Sequence, residues 1–137
     1  MAVVSELIRS EQDGSLSFGD YSLPTKTKKA DFEHDGDIYK IKTFKEITRL
    51  ERNEALVYES SPGTAVHGLK VTGDEISFSV EGPEDAMVTL ELEADSVYEV
   101  VKNGSEAGEV KTNLGGKLPT SVELGADTEV SIKVSKK

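Results

Sequence analysis

Glu75-Ile76-Ser77-Phe78-Ser79-Val80-Glu81, with Val88-Thr89-Leu90-Glu91-Leu92-Glu93 shortly after it, puts an oily side chain at every second position and a polar one between. A period of two belongs to a strand with one dry and one wet face, which is the habit of antiparallel sheets. Outward from this stretch the pattern repeats. Val130, Ile132 and Val134 alternate with Ser131, Lys133 and Ser135. Tyr98-Glu99-Val100-Val101, Glu109-Val110-Lys111-Thr112 and Ser121-Val122-Glu123-Leu124 read as three further strands.

Turn chemistry separates these runs. Asp13-Gly14, Asp35-Gly36 and Asn103-Gly104 supply the positive φ that two-residue hairpins need. Thr72-Gly73-Asp74 and Asn113-Leu114-Gly115-Gly116 mark further reversals. Turns spaced about every eight to twelve residues point to a sandwich or a barrel.

The first half is less regular. Residues 3–9, 15–18 and 37–43 are plausible strands. Residues 42–52 read two ways: Phe44, Ile47 and Leu50 have helical spacing, whereas Arg52-Asn53-Glu54 before Ala55-Leu56-Val57-Tyr58 reads as a hairpin turn and its return strand. The β-rich neighbours favour the hairpin. Ser60-Ser61-Pro62-Gly63 is a natural joint. The expected architecture is all-β: an antiparallel β-sandwich over 64–137, with an N-terminal β-rich unit, 1–63, packed against it. A chain of 137 residues suffices for one domain or two very small ones.

Charge is segregated. The chain carries −10 overall, and residues 73–109 hold eleven acids against one base, Lys102. That window alone accounts for the net charge. Residues 26–52 lean the other way, with Lys26, Lys28, Lys29, Lys40, Lys42, Lys45, Arg49 and Arg52 against six acids. An acidic half repels phosphate backbones, so nucleic acid is not an expected partner. Attraction between unlike surfaces favours head-to-tail association. Glu6 and Arg9 interrupt the N-terminus before an apolar signal region forms, and no run approaches the ~18 apolar residues of a membrane helix. A cytoplasmic location without membrane contact is the expectation.

The candidate chemistry is thin. No cysteine is present, which excludes disulfides, thiolate metal sites and a cysteine nucleophile. In Asp31-Phe32-Glu33-His34-Asp35-Gly36-Asp37, Glu33, Asp35 and Gly36 match a calcium loop, but Lys42 occupies the position where a bidentate Glu must close it. The hairpin reading explains the same glycine without an ion. His34 and His67 are the only histidines, and no serine sits in a Gly-x-Ser-x-Gly elbow. The carboxylates fall on wet strand faces, where they are ionised and poor general acids. No catalytic residue, metal ligand or cofactor is assigned. Among the aromatics, Tyr21 and Tyr39 are the candidates for a ligand-facing platform, in a chain without tryptophan.

Three segments carry a resemblance. Tyr39-Lys40-Ile41-Lys42-Thr43-Phe44-Lys45-Glu46-Ile47-Thr48-Arg49-Leu50-Glu51-Arg52-Asn53, Tyr58-Glu59-Ser60-Ser61-Pro62-Gly63-Thr64-Ala65-Val66 and Glu81-Gly82-Pro83-Glu84-Asp85-Ala86 resemble a family of short bacterial proteins labelled "endosialidase catalytic beta chain". A sialidase needs an arginine cluster, and only Arg9, Arg49 and Arg52 are present, so no catalytic residue carries over. Lys111-Thr112-Asn113-Leu114-Gly115-Gly116-Lys117-Leu118 is similar to the closing hairpins of fibronectin-like accessory modules on polysaccharide-degrading enzymes. The expected function is a non-catalytic protein-interaction or self-assembly module, binding a second copy or another protein. The alternative is a glycan-binding accessory module.

Overall fold

The computed structural model describes residues 3–125 and 128–137. Among them are thirteen strands: β1 (Ile8–Ser10), β2 (Leu16–Phe18), β3 (Thr27–His34), β4 (Asp37–Phe44), β5 (Ile47–Arg52), β6 (Ala55–Ser61), β7 (Ala65–Thr72), β8 (Glu75–Glu81), β9 (Ala86–Glu91), β10 (Val97–Lys102), β11 (Ser105–Lys111), β12 (Lys117–Val122) and β13 (Glu129–Lys136). No helix among them is long and apolar enough to cross a membrane. Sheet I runs β1-β2-β7-β8-β13-β10-β11 and sheet II runs β12-β9-β6-β5-β4-β3. Their ladders are antiparallel, and the two sheets pack face to face as a β-sandwich.

Alternation builds the core directly. In sheet II, Ile41, Leu50, Tyr58, Leu90 and Leu118 stand side by side across five strands, and all are fully buried. In sheet I, Val66, Val80 and Val130 form the matching row. Phe18, Tyr58 and Phe78 join the layers edge to face, with ring centroids 5.3 and 5.6 Å apart, the arrangement that the ring quadrupole favours.

The hairpins follow from their dipeptides. Asp35-Gly36 (φ 52° and 85°) and Asn103-Gly104 (φ 50° and 79°) close β3–β4 and β10–β11 with positive φ at both central residues. Residues 42–52 form no helix. Phe44 faces Ile47 across a tight turn, and a second turn at Asn53-Glu54 returns the chain into β6. Asn53 secures that turn: its N–H donates to the Ile38 carbonyl (2.8 Å), and its side chain bonds Ile38 N and Asp37.

Three expectations shift. The strand expected over 3–9 shrinks to Ile8–Ser10, because Leu7 takes φ 74° and bends the chain out of the ladder. The strand expected at 121–124 lies earlier, at Lys117–Val122, and the Asp85 carboxylate accepts from Leu124 N instead. The joint expected near 60–63 is a crossing between sheets. Strands on either side of it share ladders, β2 with β7 in sheet I and β6 with β9 in sheet II.

The β1–β2 edge is held by a carboxylate. Glu11 accepts from the Ser17 hydroxyl and from Arg9 Nε (3.1 Å), and Ser17 Oγ in turn accepts from Gly68 N. The Ser17 bond, then that of Arg9, holds the Glu11 carboxyl below its ordinary range. A folded-state pKa below the unfolded one gives stability that is present at neutral pH and lost as pH falls through the folded value. Thermal melts from pH 7 to 3 should therefore show a shallower acid slope for Glu11→Gln than for the parent. Identical slopes would contradict this account.

Candidate functional site

The two tyrosines do not share a platform. Tyr39 lies near the start of β4 on its inner face and is only 7% exposed, with its ring 6.0 Å from His34. Burial raises its pKa, and the Arg52 charge and hydrogen bond act against that rise. Tyr21 is half-buried beyond β2. Burial, then the charges of Glu81 and Asp20, raise its pKa. Asp20 N donates to Thr43 Oγ1 (2.9 Å), which ties this segment to the far end of β4. Four strand steps, about 13 Å, therefore separate that anchor at Thr43 from Tyr39.

The stretch resembling a calcium loop is the β3–β4 hairpin, with Asp31 in a bulge at φ 59°. His34 Nε2 lies 3.0 Å from the Gly14 carbonyl, which can only accept, so Nε2 donates. In the neutral ring Nδ1 accepts from the Ser10 hydroxyl at 2.7 Å. This imidazole clips the edge of sheet II to the β1–β2 turn of sheet I.

Charge sorts onto distinct surfaces. On the outer face of sheet II, Lys28, Lys42, Arg49 and Glu59 are consecutive cross-strand neighbours. Arg49 is matched by Glu51 (2.9 Å) and Glu59 (3.0 Å). Lys28, Lys40 and Lys42 form no ion pair among the described residues, and they surround a small hollow of about 40 Å³ with Arg49 and Glu51. Lys28 and Lys42 are like charges directly opposite one another, a destabilising arrangement, whereas Lys40 stands opposite Glu51. Glu84, Glu106 and Glu123 lie on turns and strand ends elsewhere and form no ion pair among the described residues either. The acids along β9–β11 are largely neutralised: Lys117 holds Glu91, Lys136 holds Glu93, and Lys137 bridges Glu99 and Glu109.

Between the sheets, at the end carrying the 72–75 hairpin, opens a cleft of about 440 Å³. Leu56, Val57, Ile76 and Tyr98 line it, with Arg52, Asp74 and Glu93 also on its walls. The Tyr98 hydroxyl accepts from Glu93 N at 3.1 Å.

A buried carboxylate stands apart from these surfaces. Glu81 is 2% exposed, and its Oε1 has no hydrogen-bond partner among the described residues. His67 Nε2 lies 3.6 Å from that oxygen. Nothing in the local pattern links these residues, because only β-ladder register brings positions 67, 81 and 129 together.

The fold and its surfaces define an all-β sandwich with a lysine-lined face. No protein-family model matches the sequence, and no curated protein or solved structure is significantly similar to it.

Proposed function

We propose that this protein is a non-catalytic self-association module that docks head to tail through unlike charges. The observation that carries this reading is the unmatched Lys28, Lys40 and Lys42 face on a chain whose net charge is −10. The charge complement on a second copy comes from acids that form no ion pair among the described residues, Glu84, Glu106 and Glu123 among them. A face of one kind meeting a different face makes a heterologous contact, which closes into rings or propagates as filaments. The exposed edges oppose the other common route, strand-to-strand pairing. Pro119 sits on β12, Lys28 and Lys29 on β3, and a bulge interrupts the β10–β11 pairing.

Light scattering across a salt series tests this. Association should be strongest near 0.05 M salt and weaken at least about tenfold by 0.5 M, as screening shortens the Debye length. Lys28→Glu, Lys40→Glu and Lys42→Glu together should leave a monomer at every salt concentration. A parent chain that is strictly monomeric throughout would defeat the proposal.

The second reading is a glycan-binding accessory module, in line with the fibronectin-like resemblance. The cleft beside Tyr98, with its apolar wall and polar rim, favours it. A glycan array with the Tyr98→Ala control separates the two readings.

A further inference from the structure

We propose that His67, Glu81 and Glu129 form a binding site for one divalent transition-metal ion, with Zn²⁺ the best match. The backbone already places them. Glu81 on β8 lies directly opposite Glu129 on β13, and His67 on β7 is the diagonal neighbour through the His67–Ser79 pair. Val66, Val80 and Val130 point into the core, so alternation sends all three side chains to the outer face of sheet I. Their ligand atoms, one imidazole nitrogen and two carboxylate oxygens, all lie within 4.8 Å of one another.

Two features of this cluster are unfavourable without a cation. Glu81 and Glu129 are like charges in directly opposed positions. In addition, Glu81 Oε1 is buried with no hydrogen bond among the described residues, and the His67 imidazole at 3.6 Å stands beyond hydrogen-bond reach of it. A dication between the carboxylates removes both costs. The spacing also fits. Ligand atoms about 2.0–2.2 Å from a tetrahedral zinc stand ~3.4 Å from one another, and the Nε2–Oε1 separation is 3.6 Å. Glu129 is exposed and is the arm that moves inward to close the set.

The donor types select the ion. Imidazole with carboxylates suits zinc and its neighbours, whereas calcium prefers six to eight oxygens. Three protein ligands leave a coordination position for water. The proposal is independent of the lysine face, which lies on the other sheet.

Calorimetry on the chelator-treated full chain, titrated with Zn²⁺ alone and then with Ca²⁺ or Mg²⁺, tests it. One equivalent of Zn²⁺ should bind, with Ca²⁺ and Mg²⁺ at least about 100-fold weaker. His67→Ala and Glu81→Gln should each weaken Zn²⁺ about 100-fold, Glu129→Gln about tenfold, and His34→Ala should leave binding unchanged. Glu129→Gln alters an exposed position, so its result stands even where a core-side variant folds poorly. The proposal is overturned by no Zn²⁺ binding up to about 1 mM, by less than threefold loss in His67→Ala and Glu129→Gln, or by equal affinity for Ca²⁺. The first of these would leave the group as a His67–Glu81 ion pair alone.

Discussion

Tyr58→Ala is expected to lower the unfolding free energy by about 3–5 kcal/mol, the range for emptying a buried aromatic site. Tyr58 is fully buried and sits between Phe18 and Phe78, so its ring is one of the contacts through which the two sheets meet. Its hydroxyl lies 2.7 Å from Thr64 Oγ1, and Ser60 Oγ lies 2.8 Å from the same atom. Burial pushes the Tyr58 pKa well above its ordinary value. Removing the whole side chain empties a close-packed site and strips two edge-to-face contacts, each worth about 0.5–1.5 kcal/mol. Tyr58→Phe should cost only about 1 kcal/mol, because Thr64 Oγ1 keeps Ser60 as a partner. Urea titrations of the two variants separate ring from hydroxyl. A Tyr58→Ala protein within 1 kcal/mol of the parent would show that the rings do not join the sheets.

Gly19→Ala should cost about 3–4 kcal/mol for a different reason. Gly19 has φ 101°, and a Cβ there would stand 2.3 Å from the Thr64 carbonyl oxygen and 3.1 Å from Ala65 Cα. The positive φ costs about 1–2 kcal/mol for any L side chain, and overpacking adds about 1–3 kcal/mol. The obstructing atoms are backbone, and the Thr64 carbonyl also accepts from Thr48 Oγ1 at 2.8 Å, so relief would disturb the hydroxyl cluster beneath it. Gly36→Ala is the control. Gly36 has φ 85°, but nothing lies within 4 Å of the added carbon, so only the conformational part, about 1–2 kcal/mol, should appear. Equal losses in the two variants, read from urea midpoints, would show that close approach at Gly19 is not the cause. Against total stabilities of about 5–15 kcal/mol, the Tyr58→Ala and Gly19→Ala losses are large.

Much of this molecule is written in local pattern. A side chain alternating with period two declares its own face, so the runs at 75–81, 88–93 and 130–134 announce buried and wet positions without reference to any other strand. Asp35-Gly36 and Asn103-Gly104 announce their hairpins equally locally, because positive φ is a property of the residue. The helical spacing of Phe44, Ile47 and Leu50 is a coincidence of a tight turn after Phe44. Across that turn Phe44 and Ile47 become partners in adjacent strands, whereas Leu50 returns to the core. Residues 37–43 read as a strand from the alternation itself, so what that spacing obscured was only the tight turn between β4 and β5.

Partnership is the part that local pattern leaves open. Which strands share a sheet depends on long connections, and the same alternating run serves equally well at an edge or in the middle. Tertiary pairing therefore decided that β2 lies beside β7 and β6 beside β9, across the joint that composition suggested. It buried Tyr39, which polarity alone had left free to face a ligand. It also set His67 beside Glu81 and Glu129, residues 14 and 62 positions further along the chain, because register aligns side chains across strands whatever their separation in sequence. Composition determined what faces water; pairing determined which charged groups meet there.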